Sequence, residues 1–339
     1  MLRLIDRALG ALVLACALMV AGGVHAQPLK VRISWVATPA HLPPLFMERP
    51  ELMTRAGQSY TVEAVRLPGM AQTVAALAAG ELDIALMTFP VLPLAAHGAK
   101  LDDLRIIASE YLDGEDGHYS TEFLTLKDSA LHKTEDIKGK KIALPMRGGS
   151  NEMALRAVAR KLGLDEKRDY TIVEAAPQEL KAMLLDGRAD VVAIGHPGMS
   201  ADPTVHDAAR ALFTQRDALG PTAQVVWVAR ASFLERNRAA LVDFMADALR
   251  MRRFLTDPKN HAQAVDIVAR ATKWPREKID SWLFTKADFY RTPDGLPELS
   301  MLQQNIKQVV DLGLAKSGLD VRKYQDFSLA KDAGERLKQ

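Results

Sequence analysis

The stretch Gly80-Glu81-Leu82-Asp83-Ile84-Ala85-Leu86-Met87-Thr88-Phe89-Pro90 is answered later in the chain by Gly187-Arg188-Ala189-Asp190-Val191-Val192-Ala193-Ile194-Gly195-His196-Pro197. In each, glycine and aspartate stand three residues apart, and aspartate and proline seven. Each glycine follows a run of helical apolar spacing, and glycine just past a helix end takes the left-handed conformation without Cβ strain. Each aspartate leads into an apolar strand. The shared spacing predicts a helix–turn–strand unit that occurs twice.

Outward from these units the same order is found on both sides. Residues 29–35 (LKVRISW) alternate polar and apolar side chains, which predicts a strand. Pro43-Pro44 opens a short helix. Residues 60–67 form a strand, Pro68-Gly69 leads into a helix over 70–79, and 82–87 is a strand. The later half repeats this with strand 141–144, helix 150–162 closed by Gly163, strand 170–173, helix 177–185 and strand 189–194. Strands alternating with helices predict βαβ units and parallel-rich sheets, so the fold class is α/β, with two lobes of similar plan. Segments 121–126 and 222–229 are read as strands that cross between the lobes. Beyond residue 230 the pattern turns helical. Ser232-Phe233-Leu234-Glu235 matches a capping box for a helix to about 255, Asp257-Pro258 starts another, and 275–284 and 298–312 follow. Trp274 and Trp282 on this stretch are expected to pack against a neighbouring lobe.

The 339 residues include 44 Lys+Arg and 42 Asp+Glu, a formal charge of +2, with 48% apolar and 25% charged residues. These values exclude disorder, collagen and coiled coil, and a charge near zero makes no electrostatic case for nucleic acid. The length suggests about two domains. Arg3 and Arg7 precede an apolar run over 8–21, and Val24-His25-Ala26 supplies a small-residue exit. Residues 1–26 are therefore expected to be a secretory signal peptide. As a helix the run would reach about 21 Å, short of the ~30 Å hydrocarbon core that an anchor must span. The single cysteine, Cys16, lies within it, and cleavage there as a lipoprotein is the alternative. Residues 27–339 contain no cysteine, so no disulfide scaffold, thiolate metal site or cysteine nucleophile is expected.

In open α/β sheets ligands bind beyond the carboxyl ends of strands. The candidates there are Trp35 and Thr38, Gly69 and Met70, then Thr88 and Phe89 in the first lobe. Arg147, Gly149, Ser150, Asn151 and His196 stand at the corresponding places in the second. Glu110 and Tyr111, after a strand at 104–108, and Tyr119 near the crossing are further candidates for lining a cleft. Arg147-Gly148-Gly149-Ser150-Asn151 is the sharpest signal. Its glycines let backbone approach a ligand, and the N–H groups of a helix start bind carboxylate, sulfonate or phosphate. Arg147 would add a fixed, bidentate charge. The alternative is a capped helix after a glycine turn, with Arg147 in solvent. No Walker spacing, no Gly-x-Ser-x-Gly elbow and no paired-histidine metal spacing occurs, so no catalytic residue, metal or cofactor is expected.

The segment 76–85 (Ala-Leu-x-x-Gly-x-x-Asp-Ile-Ala), Asp136-Ile137-Lys138-Gly139-Lys140-Lys141-Ile142-Ala143, Gly149-Ser150 and Val225-Val226-Trp227-Val228-Ala229 before Phe233-Leu234 together resemble one family. It is the periplasmic solute-binding proteins of ABC importers, in the nitrate/sulfonate/taurine group that also includes thiamine-precursor binders. The resemblance spans 29–312. It implies a type II periplasmic binding protein fold, with two α/β lobes of parallel-rich sheets joined by two crossing strands and a helical C-terminal tail. Lobe 1 would be 28–120 plus 228–315, lobe 2 121–227, and the tail 316–339. It implies ligand loops at Trp35, Thr38, Gly69, Met70, Thr88, Ser150, Asn151 and His196. Many relatives carry an acidic or aromatic residue where this chain has His196, which suits an anionic or hydrogen-bond-accepting ligand better than an amine. The implied function is capture of a small organic anion and its delivery to an ABC permease with its ATPase, by a periplasmic monomer. The alternatives are an enzyme related to thiamine-pyrimidine synthesis and a receptor for a sensor kinase.

Overall fold

Asp83 and Asp190 do the same work in the two repeated units. The computed structural model describes residues 27–338 apart from 68, 100 and 196; the expected signal peptide, Cys16 and His196 lie outside the described residues. In the first unit the Asp83 N–H donates to the Arg32 carbonyl at 3.0 Å, and its carboxylate accepts from the Arg32 N–H at 2.9 Å. In the second, the Asp190 N–H donates to the Lys141 carbonyl at 2.9 Å, and its carboxylate accepts from the Lys141 N–H at 2.8 Å. Each aspartate thus locks the third strand of its lobe onto the first. The preceding glycines have φ of +71° and +67°, where any side chain would be strained.

The strands are β1 (Leu29–Trp35), β2 (Tyr60–Arg66), β3 (Ile84–Thr88), β4 (Leu104–Asp113), β5 (Glu122–Leu126), β6 (Lys141–Leu144), β7 (Thr171–Glu174), β8 (Val191–Ile194), β9 (Ala209–Thr214) and β10 (Thr222–Arg230). They form two five-stranded sheets, ordered β2-β1-β3-β10-β4 and β7-β6-β8-β5-β9. In the first, β1 runs parallel to β2 and β3, while β10 lies antiparallel between β3 and β4. In the second, β6 runs parallel to β7 and β8, and β5 lies antiparallel between β8 and β9. Each sheet is therefore mixed, and each takes its antiparallel strand from the far side of a crossing. The ladder of β10 begins at Thr222 opposite Asp113. The chain has thus re-entered the first sheet six residues before the 227/228 boundary expected from sequence.

The longer helices are α1 (Met70–Ala78), α2 (Ser150–Lys161), α3 (Pro177–Leu185), α4 (Arg238–Thr256), α5 (His261–Thr272), α6 (Leu299–Asp311) and α7 (Ser328–Arg336). One face of the first sheet buries Val31, Ile33, Leu86 and Trp227 against Phe244, Leu249 and Val265 of α4 and α5. The other face begins a cluster with Val74 and Leu77 of α1 and Ile306 of α6. That cluster runs through Phe89 into Ala154 and Val158 of α2, so one apolar core continues across the lobes. A smaller one backs the second sheet with Leu180 and Leu184 of α3.

Two local expectations are corrected. Ser232 does not cap a helix: its hydroxyl donates to Asp103 at 3.1 Å, and the helix Ala231–Arg236 has no side-chain cap. Residues 275–284 hold only a 3₁₀ turn, Arg276–Lys278, where Trp282 is buried and its indole N–H donates to the Lys278 carbonyl. The segment 316–338 of the expected C-terminal tail packs on the first lobe. Gln325 bridges to Ile106, and Leu329, Ala330 and Ala333 of α7 join the core beneath α4. No helix among the described residues is long and apolar enough to cross a membrane.

Candidate functional site

The carboxyl ends of the parallel strands point at one another. The turn Phe89–Val91 that follows β3 packs against α2, and the Tyr119 hydroxyl, carried from the first lobe, donates to the Ile194 carbonyl at the end of β8 at 2.8 Å.

On the first-lobe rim, Thr38 follows β1 and Thr88 ends the adjacent strand β3. Their hydroxyl oxygens are buried and have no hydrogen-bond partner in the protein. An unpaired buried hydroxyl costs about 1–3 kcal/mol, so each can gain by bonding to a bound group. Gly69 is the extended N-cap of α1, and Gly149 that of α2; neither helix start has a side-chain cap. Their leading N–H groups and partial positive charge are therefore free for an anion. Met70 is buried behind Gly69. Trp35 is half-buried at the tip of β1, with the Arg66 guanidinium 5.6 Å from its ring centre.

The second-lobe rim differs from expectation at its charge. Arg147 is 2.8 Å from Glu166 and 3.4 Å from Glu152, and also donates to the Ile172 carbonyl. Glu166 beside it raises the Arg147 pKa, and Arg147 in turn holds the Glu166 carboxyl below its usual range. The guanidinium belongs to a surface network with Arg156 rather than to the helix start. Glycine is required at Gly148, where φ is +74° and the N–H donates to Glu152 at 2.7 Å; Gly149 has an ordinary φ of −97°. Ser150 and Asn151 are buried in the first turn of α2.

Phe89, Glu110 and Tyr111 are drawn into the protein. Phe89 is fully buried in the core that joins the lobes. Glu110 and Tyr111 lie within β4, which extends to Asp113. The Glu110 carboxylate accepts from the Leu42 N–H at 2.5 Å and the Trp227 indole at 2.6 Å, and faces Arg252 at 3.5 Å. Burial raises its pKa against the pull of Arg252. Tyr111 stacks on Phe289 with ring centres 4.3 Å apart.

Sequence reasoning missed a group that only the fold assembles. His41 is buried, and its Nδ1 accepts from the Val36 N–H at 2.8 Å, so the proton sits on Nε2. Burial, with Arg291 nearby, lowers its pKa to about 3. Arg291 donates to the Pro39 and Ala40 carbonyls, pinning the loop that carries Thr38. Asp113, at the end of β4, accepts from Ser120 Oγ, the Thr121 N–H and Thr121 Oγ1 at 2.5, 2.9 and 2.7 Å. Burial pushes its pKa up to about 6. Among the described residues no group of three or more His, Cys, Asp or Glu is placed to hold a metal.

Two mixed five-stranded lobes, exchanged crossing strands and a helical C-terminal region define the periplasmic binding protein fold. The chain belongs to the NMT1-like family, whose profile matches residues 25–269. The alkanesulfonate-binding protein SsuA from Xanthomonas axonopodis pv. citri, solved with MOPS bound, superposes with a TM-score of 0.68 at 21% identity, covering 89% of this chain and 99% of that one. The periplasmic nitrate-binding protein NrtA from Synechocystis PCC 6803 superposes at 0.71 and 14%, covering 92% and 89%. The desulfurization enzyme DSZB superposes at 0.64 and 12%, covering 91% and 99%. At such identities the likeness carries the fold alone. No curated protein sequence matches the chain.

Proposed function

We propose that this chain is the exported, periplasmic solute-binding component of an ABC importer, a monomer and not an enzyme. It takes a small organic anion, a sulfonate or carboxylate, between the carboxyl edges of its two sheets and delivers it to the permease and its ATPase. The observation that carries the reading is that the buried hydroxyls of Thr38 and Thr88 have no protein partner and that the starts of α1 and α2 have no side-chain cap. Neutral donors and helix starts suit a monoanion, and the anion needs no Arg147. The family and the sulfonate- and nitrate-binding proteins that share the fold support this class of solute.

A thermal-shift panel tests it: alkanesulfonates, nitrate, aliphatic and aromatic carboxylates, and the neutral amide of each acid. A ligand that binds only the native state raises its melting temperature. At least one anion is expected to do so, and its amide is not. If no anion shifts the transition, or if acids and amides act alike, the proposal falls. Uptake of the best anion by cells with and without the gene would separate import from a signalling role.

A further inference from the structure

Three side-chain amides and two hydroxyls form a directed chain from the hinge to the second-lobe rim. Gln215, fully buried after β9, donates through Nε2 to Thr222 Oγ1 at 2.9 Å and to Gln224 Oε1 at 2.7 Å. The Thr222 hydroxyl also donates to Gln224 Oε1, at 3.0 Å. With its oxygen so occupied, Gln224 turns Nε2 to Ser150 Oγ at 2.5 Å. Ser150 then sends its own proton to Asn151 Oδ1, at 3.4 Å. Asn151 Nδ2 is the end of the chain. It has no acceptor among the described residues and lies over Gly195, 3.7 Å from where a Cβ there would be. Turning Gln215 alone would set its oxygen against that of Gln224, and turning Gln224 alone would set its nitrogen against that of Gln215, so the two glutamines turn together; with Gln224 as its donor, Ser150 keeps its own proton for Asn151 Oδ1. Hydrogen bonds in such chains also polarise one another.

We propose that Gln215 and Gln224 are positioning residues that hold the Asn151 amide with its NH₂ toward the cleft, as a donor to an acceptor oxygen of the solute. Gln224 belongs to the first sheet and Ser150 to α2 of the second lobe, so the same chain ties that contact to the arrangement of the lobes. The inference deepens the solute-binding reading and rests on it for the identity of the acceptor, though not for the orientation of Asn151.

The side-chain amide resonances of Asn151 in the ¹⁵N-labelled, ligand-free protein read the orientation directly. Gln224→Met keeps the volume but cannot donate, and Ser150→Ala breaks the chain one link later. Both are expected to move the Asn151 pair alike and to speed its exchange with water, although residue 224 does not touch Asn151. An unmoved pair in Gln224→Met, or an Asn151 NH₂ that donates to Ser150 in the wild type, overturns the proposal. Calorimetry with nitrate, methanesulfonate and benzoate as probes gives the second arm. Each single variant should bind about tenfold more weakly, and the double variant no more weakly than either, as coupled residues do. Losses that multiply in the double variant overturn the coupling. If the wild type binds none of the three probes, the solute-binding reading fails, while the amide resonances still decide the orientation.

Discussion

Thr38 and Thr88 allow a test that separates binding from packing at single residues. Valine has nearly the shape of threonine without the hydroxyl, and here the hydroxyl has no protein partner to lose. Thr88→Val, and Thr38→Val likewise, should leave the melting temperature of the empty protein unchanged or slightly higher. Affinity for the best anion should fall roughly tenfold to a hundredfold, since a hydrogen bond to a charged group is worth about 1.5–3 kcal/mol. A destabilised empty protein with intact affinity would assign both hydroxyls to the core. Arg147 gives the opposite expectation. Its side chain is 40% exposed, and Arg156 pairs with both Glu152 and Glu166 at 2.7 Å. Arg147→Ala therefore leaves neither carboxylate without a cation, so chemical denaturation should show a loss below about 1 kcal/mol. Titration calorimetry should give wild-type affinity; a tenfold loss would return the guanidinium to the site.

Among the elements, the Gly–Asp–Pro spacing was legible because it follows from local geometry: a glycine past a helix end, then an aspartate that grips the neighbouring strand. The two grips differ in strength. Asp83 also accepts from Arg32 Nε at 2.9 Å and faces its NH2 nitrogen at 2.7 Å, whereas the Lys141 side chain adds nothing to Asp190. Asp83→Ala should therefore lower the denaturation free energy by about 1–3 kcal/mol, and Asp190→Ala by visibly less; equal losses would refute this account of the motif. The starts of α1 and α2 were equally readable, because glycine and helical periodicity are local signals. Arg147, Glu110 and Phe89 are drawn away from the strand ends for one reason. Each is claimed by partners distant in sequence: Glu166, Trp227 with Arg252, and the Ala154 face of α2. His41 and Asp113 take their hydrogen-bond partners from within eight residues but owe their burial to distant parts of the chain, and Gln224 meets Ser150 only because β10 returns to the first sheet. Asp113 at the end of β4 can be checked by pH. Its pKa is raised to about 6, so the folded protein holds that proton more tightly than the unfolded chain. The resulting stabilisation is complete below the unfolded value near 4 and is lost as pH rises through about 6. Relative to Asp113→Asn, the wild type should lose roughly 2 kcal/mol between about pH 4.5 and about pH 7. A pH-independent difference would mean that this carboxylate is ionised at no cost.

Across the whole molecule, the lobes are joined by two chain crossings, between Asp113 and Glu122 and between Thr214 and Thr222, and otherwise by contacts that can part. Tyr119 is the clearest of these. Its ring meets the edge of Phe289 at 5.2 Å and its N–H donates to the Asp288 carbonyl, both in the first lobe. Its hydroxyl reaches the Ile194 carbonyl at 2.8 Å and Ser200 Oγ at 2.9 Å in the second. Gln224 to Ser150 and Arg160 to the Asp311 carbonyl cross in the same way. A solute that touches both rims adds its own bonds only when the lobes are together, and so shifts the population toward that state. Small-angle scattering should show a smaller radius of gyration when the best anion of the panel is saturating, with the secondary structure unchanged. Tyr119→Phe keeps the ring on Phe289 and deletes only the inter-lobe hydrogen bonds, worth roughly 1 kcal/mol in net terms. It should enlarge the ligand-free radius and weaken binding several-fold, with saturating ligand restoring the wild-type radius. A radius that ignores both a confirmed ligand and the Tyr119→Phe change would show lobes fixed by the shared core around Phe89, with the solute entering a cleft that does not move.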